Sequence, residues 1–253
     1  MPRANRHHLP HHVWHITHRC HRQQFLLKFA RDRQAWMCWL YAARRRFGLC
    51  VLDYAVTSNH IHLLVRDQGR GEIARSVQLV AGRTAQAYNE RKGRHGAFWE
   101  DRYHATAVES GEHLARCVAY IDLNMVRAGV VRHPAEWKAG GYQEIQVAPE
   151  RYRIVDRAVL TEVLGIEERS RLATTHAEWI EAALRERGQR RVPEWSESVA
   201  VGSRAFVEQV GRELGVRARH RQIESCGELS VLRDPGACYG HHFGGEMLAL
   251  RPE

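Results

Sequence analysis

Residues 50–66, "CVLDYAVTSNHIHLLVR", constrain the fold more than any other stretch, because two apolar runs are separated only by Ser58 and Asn59. Short runs rich in β-branched and aromatic residues, divided by a turn dipeptide, read as two strands of one hairpin. Upstream, "HHVWHITHRC" alternates Val13, His15 and Thr17 with Trp14 and Ile16, which predicts another strand. Between them, "RQAWMCWLYAARRRF" puts Trp36, Trp39, Leu40 and Ala43 on one face of a helix that Asp32 can cap and Gly48 can end. Downstream come a long helix, "GEIARSVQLVAGRTAQAYNERKG", closed by Gly93, a strand in "YHATAVES", and a last helix, "GEHLARCVAYIDLNMVRAGVV". The order β-α-β-β-α-β-α with a central hairpin is the split βαβ arrangement of ferredoxin-like folds. It predicts an α+β fold, an antiparallel sheet flanked by helices, for residues 1 to about 135.

Beyond residue 145 the pattern changes. "HAEWIEAALRERG" and "SRAFVEQVGRELG", the latter capped by Ser203, read as amphipathic helices around a turn-rich "QRRVPEWSESVAVG". Residues 146–253 are therefore expected to form a mostly helical extension, with an irregular glycine-rich end.

With 253 residues, 44% of them hydrophobic, the chain can bury one sizeable core and a smaller second unit. It has no apolar run long enough to span a bilayer, and "MPRANRHHLPHHVWH" lacks the apolar region of a secretion signal, so a cytoplasmic protein with no membrane partner is expected. Its six cysteines stand singly without a CxxC pair, which suits reduced packing thiols rather than a zinc ribbon.

Charge narrows the partner. The formal net charge is +9, and all of the excess lies in residues 1–150, with 22 basic against 13 acidic residues; residues 151–253 balance at 16 each. Within residues 1–60 there are ten basic residues and two acidic, most of the ten being arginine, which suits bidentate phosphate contact. Nucleic acid is the expected partner, with Arg3, Arg6, Arg19 and Arg22 as contacts. Exposed bases would have Trp14 or Trp99 to stack on.

Strand alternation puts His60, His62 and Leu64 on one face and Ile61, Leu63 and Val65 on the other, which belongs to the core. Two imidazoles about 7 Å apart along a strand can converge on one metal ion or one phosphate. They can equally be edge histidines bonded to neighbours. The last helix adds Tyr120 and Asn124, spaced i, i+4 on one face, while Leu114, Val118, Ile121 and Met125 pack inward. Together the four residues make one reactive group and three metal ligands. The denser cluster of His7, His8, His11, His12, His15, His18 and His21 is interrupted by Pro10 and lacks acidic or cysteine ligands, which argues against a metal site there. His104 and His113 lie near the last helix without a spacing that fixes a role.

These motifs resemble the REP-associated tyrosine transposases of the single-tyrosine HUH superfamily. The resemblance covers residues 2–145 and is carried by "PRANRHHLPHHVWHITHRCHRQ", "SNHIHLLV", "FWEDRYHATAVES" and above all "YIDLNMVRAGVV", where Met125 replaces the family's usual proline. It implies an HUH-type catalytic domain over residues 1–145, with His60, His62 and Asn124 as ligands of Mg²⁺ or Mn²⁺, Tyr120 as nucleophile, the histidine-rich segment from His7 to His21 as a phosphate-binding DNA contact and Arg102 as a further DNA contact. A free phenol ionises near pH 10, so such a nucleophile needs help from a hard cation that polarises the scissile phosphate. The implied reaction is cleavage of single-stranded or hairpin DNA through a 5′-phosphotyrosine, with strand transfer and no nucleotide cofactor. Two other readings share these residues: a non-catalytic DNA-binding protein of the same fold acting at repeats, and a replication-initiator or relaxase nickase, which "LNMVRAG" disfavours. Oligomeric state stays open.

Overall fold

A computed structural model describes residues 9–186 and 192–234. Its centre is the predicted split βαβ unit. β1 (Val13–Arg19), α1 (Ala30–Phe47), β2 (Cys50–Val56), β3 (His60–Arg66), α2 (Glu72–Lys92) and β4 (His104–Val108) follow in that order. β1 lies antiparallel to both β3 and β4, and β2 lies antiparallel to β3. β1 and β2 therefore run parallel with β3 between them, as the connection through α1 requires.

The two faces of β3 separate as the alternation predicts. Ile61 and Leu63 pack against Trp36 and Leu40 of α1 and Val77 and Val80 of α2, leaving a cavity of only about 10 Å³. Each such buried aliphatic side chain stabilises the fold by roughly 1.5–3 kcal/mol. Gly48 and Gly93 end the two helices in left-handed conformations, at φ 71° and 56°, which glycine adopts without a Cβ penalty. Asp32 does not cap α1: Phe29 holds the cap position, and Asp32, buried in the first turn, pairs with Arg91 of α2. That ion pair clamps the two helices together.

The opposite face of the sheet carries α3 (Glu112–Asp122), which contacts β2 and β4. The predicted last helix is not continuous. It stops at Asp122, and a separate turn, α4 (Asn124–Arg127), begins after Leu123. The cause is a guanidinium in the hydrogen-bond ladder, since Arg127 Nη2 donates to the Tyr120 carbonyl at 2.6 Å. Met125 sits in the first turn of α4, where the family's proline would cost no intrahelical bond.

The chain continues with α5 (Tyr142–Gln146), α6 (Arg157–Val163), α7 (Leu172–Arg185), α8 (Glu194–Glu197), β5 (Ala200–Gly202), α9 (Arg204–Leu214), β6 (Gln222–Cys226) and β7 (Leu229–Arg233). Ser203 caps α9 as predicted, its side chain accepting from Phe206 N. Among the described residues helices dominate the extension as expected, but it also adds three strands. β5 pairs parallel with β4, β7 pairs with β5, and β6 with β7, so among the described residues one seven-stranded sheet runs in the order β2-β3-β1-β4-β5-β7-β6. The sheet crosses residue 145, and the extension shields the β4 edge that would otherwise be open. The irregular end expected after residue 234 lies outside the described residues. No described helix is long and apolar enough to cross a membrane.

Candidate active site

β3 delivers His60 and His62 to the α3 face, and their Nε2 atoms approach to 3.1 Å. Asn124, at the start of α4, puts its amide Nδ2 2.9 Å from His62 Nε2. The three predicted ligands thus meet although the helix carrying Asn124 is broken. Tyr120 lies beside them with 7% of its surface exposed, its ring edge-on to His62 at 5.8 Å and to His15 at 6.2 Å.

The proton positions follow from the surrounding acceptors. His15 Nδ1 lies 2.6 Å from the Trp195 carbonyl. A carbonyl only accepts, so this nitrogen carries the proton and His15 Nε2 is left as an acceptor. His62 Nδ1, 2.9 Å away, donates to it. His62 Nε2 therefore presents a lone pair toward His60 and Asn124. His60 Nδ1 lies 2.7 Å from Asn59 Oδ1 and 2.9 Å from Thr57 Oγ1, which turns the His60 Nε2 lone pair the same way. Two imidazole lone pairs aimed at one point repel each other unless a cation lies between them. Outer partners that fix the tautomer of each histidine are what metal ligands require.

Burial keeps the His62 and His15 rings neutral. Burial lowers His62 well below the usual histidine range, helped by His60, His15, Arg127 and Arg19. Burial likewise lowers His15 to about 4, against a smaller upward pull from the Trp195 carbonyl. Among the described residues no group of three or more His, Cys, Asp or Glu can hold a metal ion. The donor set at His60 and His62 gains its third member from the Asn124 amide once its oxygen replaces Nδ2 beside His62, and two imidazoles with an amide oxygen fit a divalent cation that keeps some of its waters.

Three contributors were not assigned from sequence. Arg127 stands with its Cζ 4.1 Å from the Tyr120 ring centroid. Burial lowers its pKa, and Tyr120 opposes that shift; an arginine remains a cation regardless. The "LNMVRAG" motif contained it without a role. His15 was read as part of the phosphate-binding histidine segment, but it is fully buried behind His62. Trp195 contributes through its backbone, which no residue type reveals. The extension also braces the end of α3, where His176 of α7 meets Asp122 at 2.7 Å, both buried.

Arg19 pairs across the sheet with His60, and Arg22 follows in a turn with φ 51°, left-handed for a residue with a side chain. Such a backbone costs about 1–3 kcal/mol and clusters at functional sites. Arg22 and Arg102 are exposed at the same sheet end, where residues 19–21 bond to Phe98 and Glu100. Arg3, Arg6, His7 and His8 lie outside the described residues. His18 is buried, bonded to the Asp101 carbonyl and stacked on Trp99 at 4.2 Å. Trp14, at 2% exposure, has no face for a base, which removes it as a stacking residue. Trp99 is half-buried and donates to the Ala81 carbonyl. His104 bonds the Ser198 carbonyl and His113 pairs with Glu109, so their described contacts are with the scaffold.

The sequence model of the IS200-like transposases matches residues 8–124. No curated protein matches the chain. Among solved structures, the fold is similar to a REP-associated tyrosine transposase bound to a REP hairpin, at 18% identity and a TM-score of 0.50, covering 61% of this chain and 90% of that one. A transposase candidate from Deinococcus radiodurans R1 aligns at 14% identity and a TM-score of 0.34, over 50% of this chain and 95% of its own.

Proposed function

Taking residues 8–124 as a domain of the IS200-like transposase family, we propose that the chain is a metal-dependent single-strand DNA endonuclease and strand transferase working through a 5′-phosphotyrosine at palindromic hairpin repeats. The reading rests on the convergence of His60 and His62 Nε2 with Asn124 beside a buried tyrosine backed by the half-buried Arg127 guanidinium. Hairpin DNA as the substrate is supported by the REP hairpin bound in the similarly folded transposase.

His60, His62 and Asn124 would hold Mg²⁺ or Mn²⁺, which when bound polarises a phosphate oxygen and offsets developing charge. The remaining work falls to the chain. Tyr120 Oη attacks phosphorus as the P–O3′ bond breaks, and the proton lost by the phenol is matched by the one gained at the 3′ oxygen. Arg127 stabilises negative charge near the phenolic ring, and the buried setting strengthens that effect. One phosphodiester exchanges for another, so the 3′ hydroxyl can reverse the attack and rejoin a strand without a nucleotide cofactor. Arg19, Arg22 and Arg102 neutralise strand phosphates around the site.

Incubation with a 5′-flanked hairpin and Mn²⁺ tests the reading. The wild type should form a denaturation-resistant adduct, and Tyr120→Phe should bind the same DNA and form none. An adduct mapping to Tyr103 or Tyr88 would reassign the nucleophile. Absence of adduct and cleavage with every repeat-derived hairpin would leave a DNA-binding protein.

A further inference from the structure

Exposed aromatic rings on a basic surface remain to be explained. Phe25 and Phe29 are 53% and 51% exposed, in the segment that joins β1 to α1. Burying phenyl rings is normally among the larger sources of stability, so leaving two in water within five residues calls for a ligand. Cations stand over one of them. Arg31 Cζ and Lys92 Nζ stand 5.9 and 5.6 Å from the Phe29 ring centroid. Arg22 and Lys28 are exposed in the same segment.

This segment is tied to the metal-ligand strand. Leu27 N donates to the Ser58 carbonyl at 2.9 Å, and Asn59 Nδ2 donates to the Gln23 carbonyl at 3.4 Å. Asn59 Oδ1 is also the acceptor for His60 Nδ1. The rings are thus carried by a loop bonded to the residue that orients His60. On its other side Arg33 donates to the Leu27 carbonyl at 3.0 Å and lies over the Trp137 ring at 4.5 Å, forming one wall of a cleft of about 330 Å³ between the start of α1 and residues 137–139.

Resting on the nuclease reading above, we propose that Phe25 and Phe29, with the adjoining cleft, bind unpaired nucleobases of the strand next to the scissile phosphate. Aromatic faces interleaved with cations match the alternation of base and phosphate in a single strand. A protein partner would need acidic groups to meet the same cations. A second copy of this chain would bring the same basic surface against itself, with ten basic and two acidic residues in positions 1–60. Duplex DNA keeps its base faces stacked and offers the rings nothing.

Binding by fluorescence anisotropy, in a Tyr120→Phe background so that no strand is cut, separates these cases. Phe25→Ala and Phe29→Ala should each weaken binding to a hairpin with an unpaired flank by about 5- to 150-fold, the range of base–aromatic stacking. Affinity for a blunt hairpin should not change, and neither should thermal unfolding, because both rings are exposed. A single abasic site in the flank should weaken the unsubstituted rings' binding and have no effect once the matching phenylalanine is gone. Equal loss on blunt and flanked hairpins, no loss on either, or a change only in self-association would overturn the proposal. Adduct formation by the Tyr120-containing protein is read separately. If it forms while the phenylalanine variants bind flanked DNA normally, stacking fails and the nuclease reading stands; if it never forms, the nuclease reading fails by itself.

Discussion

Replacing His15 by phenylalanine keeps a ring of similar size and removes both nitrogens. Two buried groups then lose their partners, the Trp195 carbonyl at 2.6 Å and His62 Nδ1–H at 2.9 Å. Each orphaned group costs about 1–3 kcal/mol, so near neutral pH the variant should be less stable by roughly 2–6 kcal/mol. The gap should also depend on pH. Burial lowers the folded His15 ring from the usual 6.5 to about 4, so the unfolded chain takes up the proton first. The stability that comes from keeping His15 neutral is whole above pH 6.5 and is lost as pH falls toward 4, by about 3 kcal/mol. Phenylalanine cannot titrate, so that part of the acid loss disappears in the variant. Denaturant unfolding of both proteins at pH 7.5, 5.5 and 4 should therefore show curves that converge by about 3 kcal/mol on acidification. Parallel curves would mean that His15 is not held neutral between Trp195 and His62, and the assignment of His62 Nε2 as a lone-pair donor would fall with it.

Two further outcomes follow from the site. Cleavage should require Mg²⁺ or Mn²⁺, and His60→Ala or His62→Ala should reduce it beyond the roughly 10–100-fold that loss of an outer hydrogen-bond partner costs; full activity in excess EDTA would remove the metal. Binding to single-stranded DNA should weaken linearly in log affinity against log salt, and Arg22→Ala or Arg102→Ala should each lower the slope by about 0.7. A slope that does not move would take that arginine out of the interface.

The legible parts of the fold were those encoded by near neighbours. The hairpin of β2 and β3, the amphipathic faces of α1 and α2 and the glycine stops all lie within windows where periodicity or one turn residue decides the outcome. β5 escaped because three residues, Ala200–Gly202, carry no periodicity, and their strand character comes from pairing with β4 and β7. The break at Leu123 escaped for a related reason, since Arg127 reads as an ordinary helical residue until its side chain meets the Tyr120 carbonyl. At the site, His60, His62, Tyr120 and Asn124 could be named because strand alternation and helical spacing put them on shared faces. His15 was placed on the correct strand face and given the wrong task. Its two partners lie 47 and 180 residues away, and no local pattern reports a contact at that distance. Trp14 was misread as a stacking surface because a tryptophan on an alternating strand fits the core as well as the surface, while Phe25 and Phe29 were overlooked in a segment without periodicity.

The bond from His15 to the Trp195 carbonyl also orders events in time. A ribosome releases His60, His62, Tyr120 and Asn124 long before it reaches Trp195, so a nascent or prematurely terminated chain can own every residue of the motif while nothing dictates which nitrogen of His62 carries the proton. The acceptor that settles the question arrives with the last quarter of the polypeptide. Only a chain translated past Trp195 can hold the ring as the folded protein presents it.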